Sequence, residues 1–392
     1  MRTTLHSLLA LGTTALFALA VPGVAADEPP VGPPQPERRF DALAIPLVAY
    51  NTDEGFGLGL VGGAYLYRRG VEPYAHAVAA EVFFTTGGIQ SHFLRYDGPD
   101  FLGSSLRLEG RLSYRAERFD PFYGLGNASS PDLAVELRTP AFSYRSRRAG
   151  GWARVRLGRE RSNPRPYAGY EFDYTIVHPY PGSALAQQAP LGLDGGPTGR
   201  LLAGLLWDSR DDERDPRSGG IADLALRIAN TATASRYDFG RLDLGLTRFV
   251  PLGPRFVLAA RLAAGWAFGD APFFELPYLG GLYQSEGLGG TSSVRGLPSD
   301  RYVGELKLLG NAELRATLVD FDLVGATTSL RAVLFADGGR VWSAAAAQAP
   351  EGGLHGSGGV GLRLVRGAAV LRFDYGVSAE FQAIYLTFGQ IF

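Results

Sequence analysis

The stretch ELKLLGNAELR, residues 305–315, puts Leu306, Leu308, Ala312 and Leu314 on one side of an extended chain. It puts Glu305, Lys307, Asn311, Glu313 and Arg315 on the other. Successive side chains of a β-strand point to opposite faces, so this period of two describes a strand with one apolar and one charged face. Two nearby stretches repeat it. In RLDLGLTRF, Leu242, Leu244 and Leu246 alternate with Arg241, Asp243 and Thr247. In RFVLAARLAAGWAF, Phe256, Leu258, Ala260, Leu262, Ala264, Trp266 and Phe268 oppose Arg255, Arg261 and small residues. Alternation of this kind runs nearly to the C-terminus, punctuated by turn clusters such as RRGVEP, YDGPD and VPLGP. No apolar run after Phe40 is continuous enough for a membrane-spanning helix. A soluble sandwich would alternate in the same way. Charges of both signs in mid-strand, with Tyr65, Tyr67, Tyr170, Tyr174, Trp266 and Phe268 near strand ends, instead suit a cylinder with lipid outside and a polar lumen. The expectation is an all-β fold, a transmembrane antiparallel β-barrel over residues 40–392. About seventeen segments qualify as strands, and bacterial single-chain barrels favour even numbers, so the expected count is about sixteen. The blurred boundaries fall between Tyr74 and Val177.

The rest of the chain narrows the setting. Arg2, the apolar stretch Leu8–Ala20 and the small residues Val24-Ala25-Ala26 predict a secretory signal peptide over residues 1–26, with a retained membrane anchor as the alternative. Residues 27–39 are Pro-rich and polar, and read as a short extended periplasmic tail. A formal net charge of −1 with no basic block argues against nucleic acid as a partner. The absence of Cys excludes disulfides and thiolate metal sites. His76, His92, His178 and His355 are scattered without metal spacing or a nucleophile and base, so neither enzymatic activity nor a cofactor is expected. The run Asp208–Asp215 could hold a hard cation, but the interleaved Arg210 and Arg214 favour a solvated turn.

Upstream of the opening stretch lies the loop SSVRGLPSDRY, residues 292–302, preceded by a Gly-rich approach. Arg295, in a loop too Gly-rich to stay extended in water, could fold into a polar lumen and seek a carboxylate, the alternative being a solvated arginine. By parity, Phe335 and Asp337 lie with Arg331 and opposite Leu330, Leu334 and Ala336, which directs them inward, and Glu313 points the same way. Such a buried pair sets an arrangement more surely than it adds stability.

Here the sequence resembles the barrel domain of the BamA/TamA-type surface-antigen superfamily, which also includes two-partner-secretion pores. The resemblance rests on Val294-Arg295-Gly296, followed by Leu297 where an aromatic is usual, on Asn311, Glu313, Leu314 and Arg315, and on Phe335, Asp337 and Gly339. DSRDDERDPRSGG and PFYGLGN are similar to further recurring segments, and the ending AIYLTFGQIF, with Ile384, Leu386, Phe388 and Phe392 on one face, is similar to an outer-membrane recognition signal. The resemblance implies a bacterial outer-membrane location, an extracellular loop folded inward with Arg295 on Asp337, and insertion or translocation of client proteins or lipid. It also implies a weak seam between the first and last strands, where Pro46 and Gly389 would loosen the ladder or, on the alternative, are merely tolerated. Such relatives carry periplasmic POTRA domains; with residues 27–39 alone ahead of the barrel, a periplasmic partner would have to replace them. A passive pore or structural barrel is the second reading, and a hydrolase barrel a weak third.

Overall fold

The structure, a computed structural model, describes residues 38–392 apart from 69–70, 72–73, 100, 102–104, 128–136, 159–161, 214, 283, 286, 324–325, 345–352 and 367–368. The signal peptide, Arg214 and all of the expected tail but Arg38 and Arg39 therefore lie outside the described residues. Sixteen strands close into one antiparallel barrel. In order they are β1 (Arg38–Asn51), β2 (Gly55–Arg68), β3 (His76–Thr85), β4 (Ile89–Gly98), β5 (Leu106–Pro121), β6 (Ser143–Leu157), β7 (Arg165–Pro179) and β8 (Gly196–Asp208), followed by β9 (Gly219–Ala229), β10 (Phe239–Pro251), β11 (Phe256–Gly269), β12 (Leu306–Leu323), β13 (Ala326–Trp342), β14 (His355–Arg366), β15 (Ala369–Ser378) and β16 (Gln382–Phe388). Every strand pairs with its sequence neighbours, and β1 meets β16. The count agrees with the sixteen expected from alternation. β1 begins at Arg38, two residues before the boundary read at Phe40.

The two faces divide as the period of two requires. Along β12, Leu306, Leu308 and Leu314 face outward and are partly exposed, while Lys307, Asn311, Glu313 and Arg315 are buried inside. On β10, Leu242, Leu244 and Leu246 point out, and Arg241 and Asp243 point in. A contiguous apolar exterior around a charged interior fits a lipid solvent, because a water-facing surface would not carry leucines in rows. No helix among the described residues is long and apolar enough to cross a membrane. Of the aromatics expected at the outer girdle, Tyr170, Tyr174 and Trp266 do point out. Tyr65 and Tyr67 do not: both share the inward parity of Val61, Tyr74 covers the Tyr65 ring at a centroid distance of 5.5 Å, and Tyr67 stacks beside it at 6.4 Å.

The ends of the barrel differ. One end carries mostly tight connections, such as residues 252–255 between β10 and β11, whereas the other carries long loops after β5, β7, β11 and β13. The loop after β7 includes a short helix, α1 (Ala184–Gln188), capped by the Ser183 side chain, which accepts from the Ala186 N–H. Phe122, Leu125, Tyr144, Leu185, Phe273 and Phe274 pack into a buried apolar cluster that draws these loops together over the mouth. The longest connection, between β11 and β12, supplies Phe273 and Phe274 to that cap, and its residues 293–298 are buried in the lumen.

Candidate functional site

Inside the lumen the loop tip is clasped by β12, β13 and β15. Arg295 is fully buried. Its Nε donates to Asp337 Oδ2 at 2.7 Å and its Nη2 to Asp337 Oδ1 at 2.9 Å, a two-pronged bond of the kind a planar guanidinium makes with a carboxylate. Nη1 reaches Glu313 Oε1 at 2.7 Å and Asp374 Oδ2 at 3.3 Å. The guanidinium carbon also lies 3.5 Å from the centre of the Phe335 ring, so the aromatic face covers the side that no carboxylate reaches. The expected contact between Arg295 and Asp337 is thus present, with Glu313 and Phe335 beside it.

The cluster is larger than the sequence motifs indicated. Arg363 donates to Asp374 Oδ1 at 2.6 Å and to Glu313 Oε1 at 3.2 Å, Arg315 Nε donates to Glu313 Oε2 at 2.8 Å, and Arg372 lies 3.4 Å from Asp374. Arg261 donates to Asn311 Oδ1 at 2.9 Å, and Asn311 in turn donates to Asp337 Oδ1 at 2.8 Å. Glu313 and Asp374 each have several arginines, whereas Arg295 is the arginine bonded to Asp337. Asp374, Arg363 and Arg372 carried no motif. Their inward parity on β14 and β15 is a signal that could have found them, since the buried Val370, Arg372 and Asp374 alternate with outward Phe373.

Glycines let the loop come this close. Gly296 has φ +90°, and a Cβ there would lie 2.7 Å from the Gly376 carbonyl carbon. Gly376 faces it equally tightly, with the Arg295 carbonyl carbon 2.8 Å from where its own Cβ would be. At Gly339 a Cβ would meet Leu288 of the loop at 2.8 Å. Leu297, where an aromatic was expected, is buried with Val294, Leu279, Leu288, Tyr302, Leu309 and Val341. Its branched aliphatic side chain packs into that cluster.

The β1–β16 seam has the shortest ladder in the wall. All fourteen residues of β1 pair with β2. Against β16 it makes two registered pairs, Tyr50 with Leu386 and Asn51 with Tyr385. Bonds between Thr52 and Ile384 add to these just past the strand end. Pro46 sits in the part of β1 that β16 does not reach, exposed on the outer side. β16 ends at Phe388, and Gly389 follows with φ +81°. Beyond it the chain turns into the lumen, which corrects the expectation that Phe392 shares the outward face of Ile384, Leu386 and Phe388. Phe392 instead packs against Phe249, Val257 and Ala259, with Arg261 and Arg315 within 5.5 Å of its ring centre. A positive φ at Gly389 breaks the alternation on which the sequence reading relied.

A second correction concerns the run Asp208–Asp215. It is more than a solvated turn: Asp208 pairs with Arg210 at 2.7 Å and Arg165 at 3.4 Å, and Asp215 reaches Arg331 on β13 at 2.6 Å and accepts from Gln390 at 3.1 Å. The β8–β9 turn therefore folds under the barrel toward the inturned tail. No metal-holding group of side chains occurs among the described residues. In the β1–β2 turn, burial pushes the Asp53 carboxyl up to about 6, although the N–H and hydroxyl of Ser299 both donate to it and pull the other way.

A family model for the Omp85 superfamily domain matches residues 78–392. Among solved structures, the chain is similar to BamA from Haemophilus ducreyi lacking POTRA domains 1-3, at 13% identity and a TM-score of 0.60, over 90% of this chain and 70% of that one. It is similar to CdiB from Escherichia coli at 15% identity and a TM-score of 0.56, and to CdiB from Acinetobacter baumannii at 13% and 0.53. It covers 64% and 60% of those two chains, less than two thirds of either. At such identities the likeness is one of fold. No curated protein matches the sequence.

Proposed function

Because the chain belongs to the Omp85 superfamily, we propose that it is a bacterial outer-membrane barrel that assists insertion or translocation of client proteins, or of lipid, at the β1–β16 seam. The long loops face the outside of the cell, and the tight turns face the periplasm. The observation that carries this reading is the disparity of the first strand: residues 38–49 of β1 are paired on the β2 side and not with β16. An unpaired strand edge is a template for a further strand, which can add its own backbone bonds there. The cap over the long-loop mouth and the docked loop obstruct passage straight through the lumen, which favours a sideways route. Outer-membrane lipid surrounds the wall, and client proteins and a periplasmic partner protein are the partners that this reading assigns. The reading assigns the chain no catalytic step and no cofactor.

A second reading is favoured by a different observation. The lock around Arg295 engages three carboxylates with residues 293–298 buried, as a permanent plug would. On that reading the chain is a structural barrel or closed pore. The two are separated by placing purified protein in liposomes and measuring both ion conductance and the rate at which a separate unfolded barrel protein inserts. Faster insertion supports the seam. Conductance without faster insertion refutes it.

A further inference from the structure

We infer that loop residues Gly296–Ser299 form a brace laid across the β1–β16 seam from the lumenal side, and that Asp53 is the positioning residue through which the loop holds β1. On the β16 side, the Gly296 N–H donates to Tyr385 Oη at 3.0 Å, and the Tyr385 hydroxyl donates to the Leu297 carbonyl at 3.3 Å. The Ser378 hydroxyl at the end of β15 donates to the Gly296 carbonyl at 2.8 Å. Three residues further along, the Ser299 N–H and hydroxyl donate to Asp53 Oδ2 at 2.7 and 3.0 Å. Asp53 lies just past β1, two residues from Asn51, and Asn51 is the partner of Tyr385 in the seam. The loop thus crosses the junction at the very place where the two strands still pair.

The number of bonds on each side gives the brace its weight. The direct junction between β1 and β16 has two registered pairs and the Thr52–Ile384 bonds, so two further bonds from Ser299 to Asp53 are a substantial addition to it. The anchoring is also uneven. Toward β15 and β16 the loop is fixed by Tyr385, Ser378, the Gly296–Gly376 contact and the Arg295 lock, while toward β1 it is fixed by Asp53. Asp53 is itself held, its N–H donating to Asn51 Oδ1 at 2.8 Å. When the seam opens with the loop docked, the more lightly anchored side gives way: β1 and β2 swing out, and β16 stays with the loop. As a control on client entry, this rests on the function proposed above.

The test uses the full chain in lipid nanodiscs. Native Cys is absent, so paired spin labels can be placed at will. Leu58→Cys on β2 and Phe373→Cys on β15 flank the seam on the lipid side, and Leu314→Cys on β12 with Phe373→Cys spans an equal number of strands away from it. In Asp53→Ala the seam pair should gain a population longer by at least about 4.8 Å, one strand spacing, with the second pair unchanged. Asp53→Asn keeps an acceptor oxygen for Ser299 and should resemble the parent. An unchanged seam distance in Asp53→Ala, or an equal movement of the second pair, overturns the brace. Should Asp53→Ala fail to fold, Ser299→Ala removes one of the two bonds, and the absence of any lengthening there has the same force. Insertion of a client barrel is scored separately. Distances that behave as expected without insertion refute the proposed function alone, and insertion with unmoved distances refutes the brace alone.

Discussion

Replacing Arg295 by Met keeps the length of the side chain and removes the charge, and the surroundings say where the cost falls. Glu313 keeps Arg315 and Arg363, and Asp374 keeps Arg363 and Arg372. Asp337 loses its two-pronged partner and keeps only neutral donors, the Asn311 amide and the backbone N–H of residue 295. Stranding one buried charge in this way costs about 3–5 kcal/mol. The reverse change, Asp337→Asn, leaves Arg295 with Glu313 and Asp374 and should cost less. The double variant has no stranded carboxylate, so it should lie above the sum of the singles by a coupling of about 0.5–3 kcal/mol. Urea unfolding in phospholipid vesicles, followed by tryptophan fluorescence with an unchanged denaturant slope, measures all three. A cost below about 1 kcal/mol for Arg295→Met, or strict additivity in the double variant, would refute the claim that this pair holds the loop.

Further consequences can be measured in the same preparation. Gly296→Ala places a methyl group 2.7 Å from backbone atoms of Gly376 and Val377 at a φ of +90°; the loop should undock, raising conductance in planar bilayers above that of the parent, and unchanged conductance would count against the plug. Asp53 has a carboxyl raised by burial from 3.8 to about 6, so its stabilising contribution is present at low pH and lost as pH rises through 6. Parent stability relative to Asp53→Asn should therefore climb by about 3 kcal/mol as pH falls from 7.5 to below 4, because each tenfold gain in proton affinity on folding is worth about 1.4 kcal/mol; a flat difference between the two proteins would show that the turn is hydrated. A disulfide between Tyr50→Cys and Leu386→Cys, which face each other in the seam, should abolish client insertion and restore it on reduction, and full activity in the locked form would place the client elsewhere.

How much of this was legible beforehand follows from how local each signal is. Strand number, facing and the inward parity of Glu313, Phe335 and Asp337 are consequences of a period of two, which survives as long as the chain stays extended. Arg295 was legible because an arginine between Val294 and Gly296 in a Gly-rich loop has few ways to be buried except against a carboxylate. Asp374, Arg363 and Arg372 were missed because their role depends on which strands curve together around the loop, a relation of the closed cylinder and not of any segment. Phe392 was misplaced for the opposite reason: one positive φ at Gly389 cancels the parity rule for everything after it. Asp53 carries no motif, and its importance comes from Ser299, which lies far away in sequence.

The loop's position also constrains how the molecule is made. A segment held from within by β12, β13, β15 and the β1–β2 turn touches strands on both sides of the closing joint. Docked before closure, such a loop would serve as a former on which the curvature is set, with the seam as the last joint to be drawn shut. Substitutions at Val294, Arg295 and Gly296 would on this view delay assembly before they weaken the finished barrel, so the earliest symptom of a damaged loop would be a slow folder rather than a fragile one.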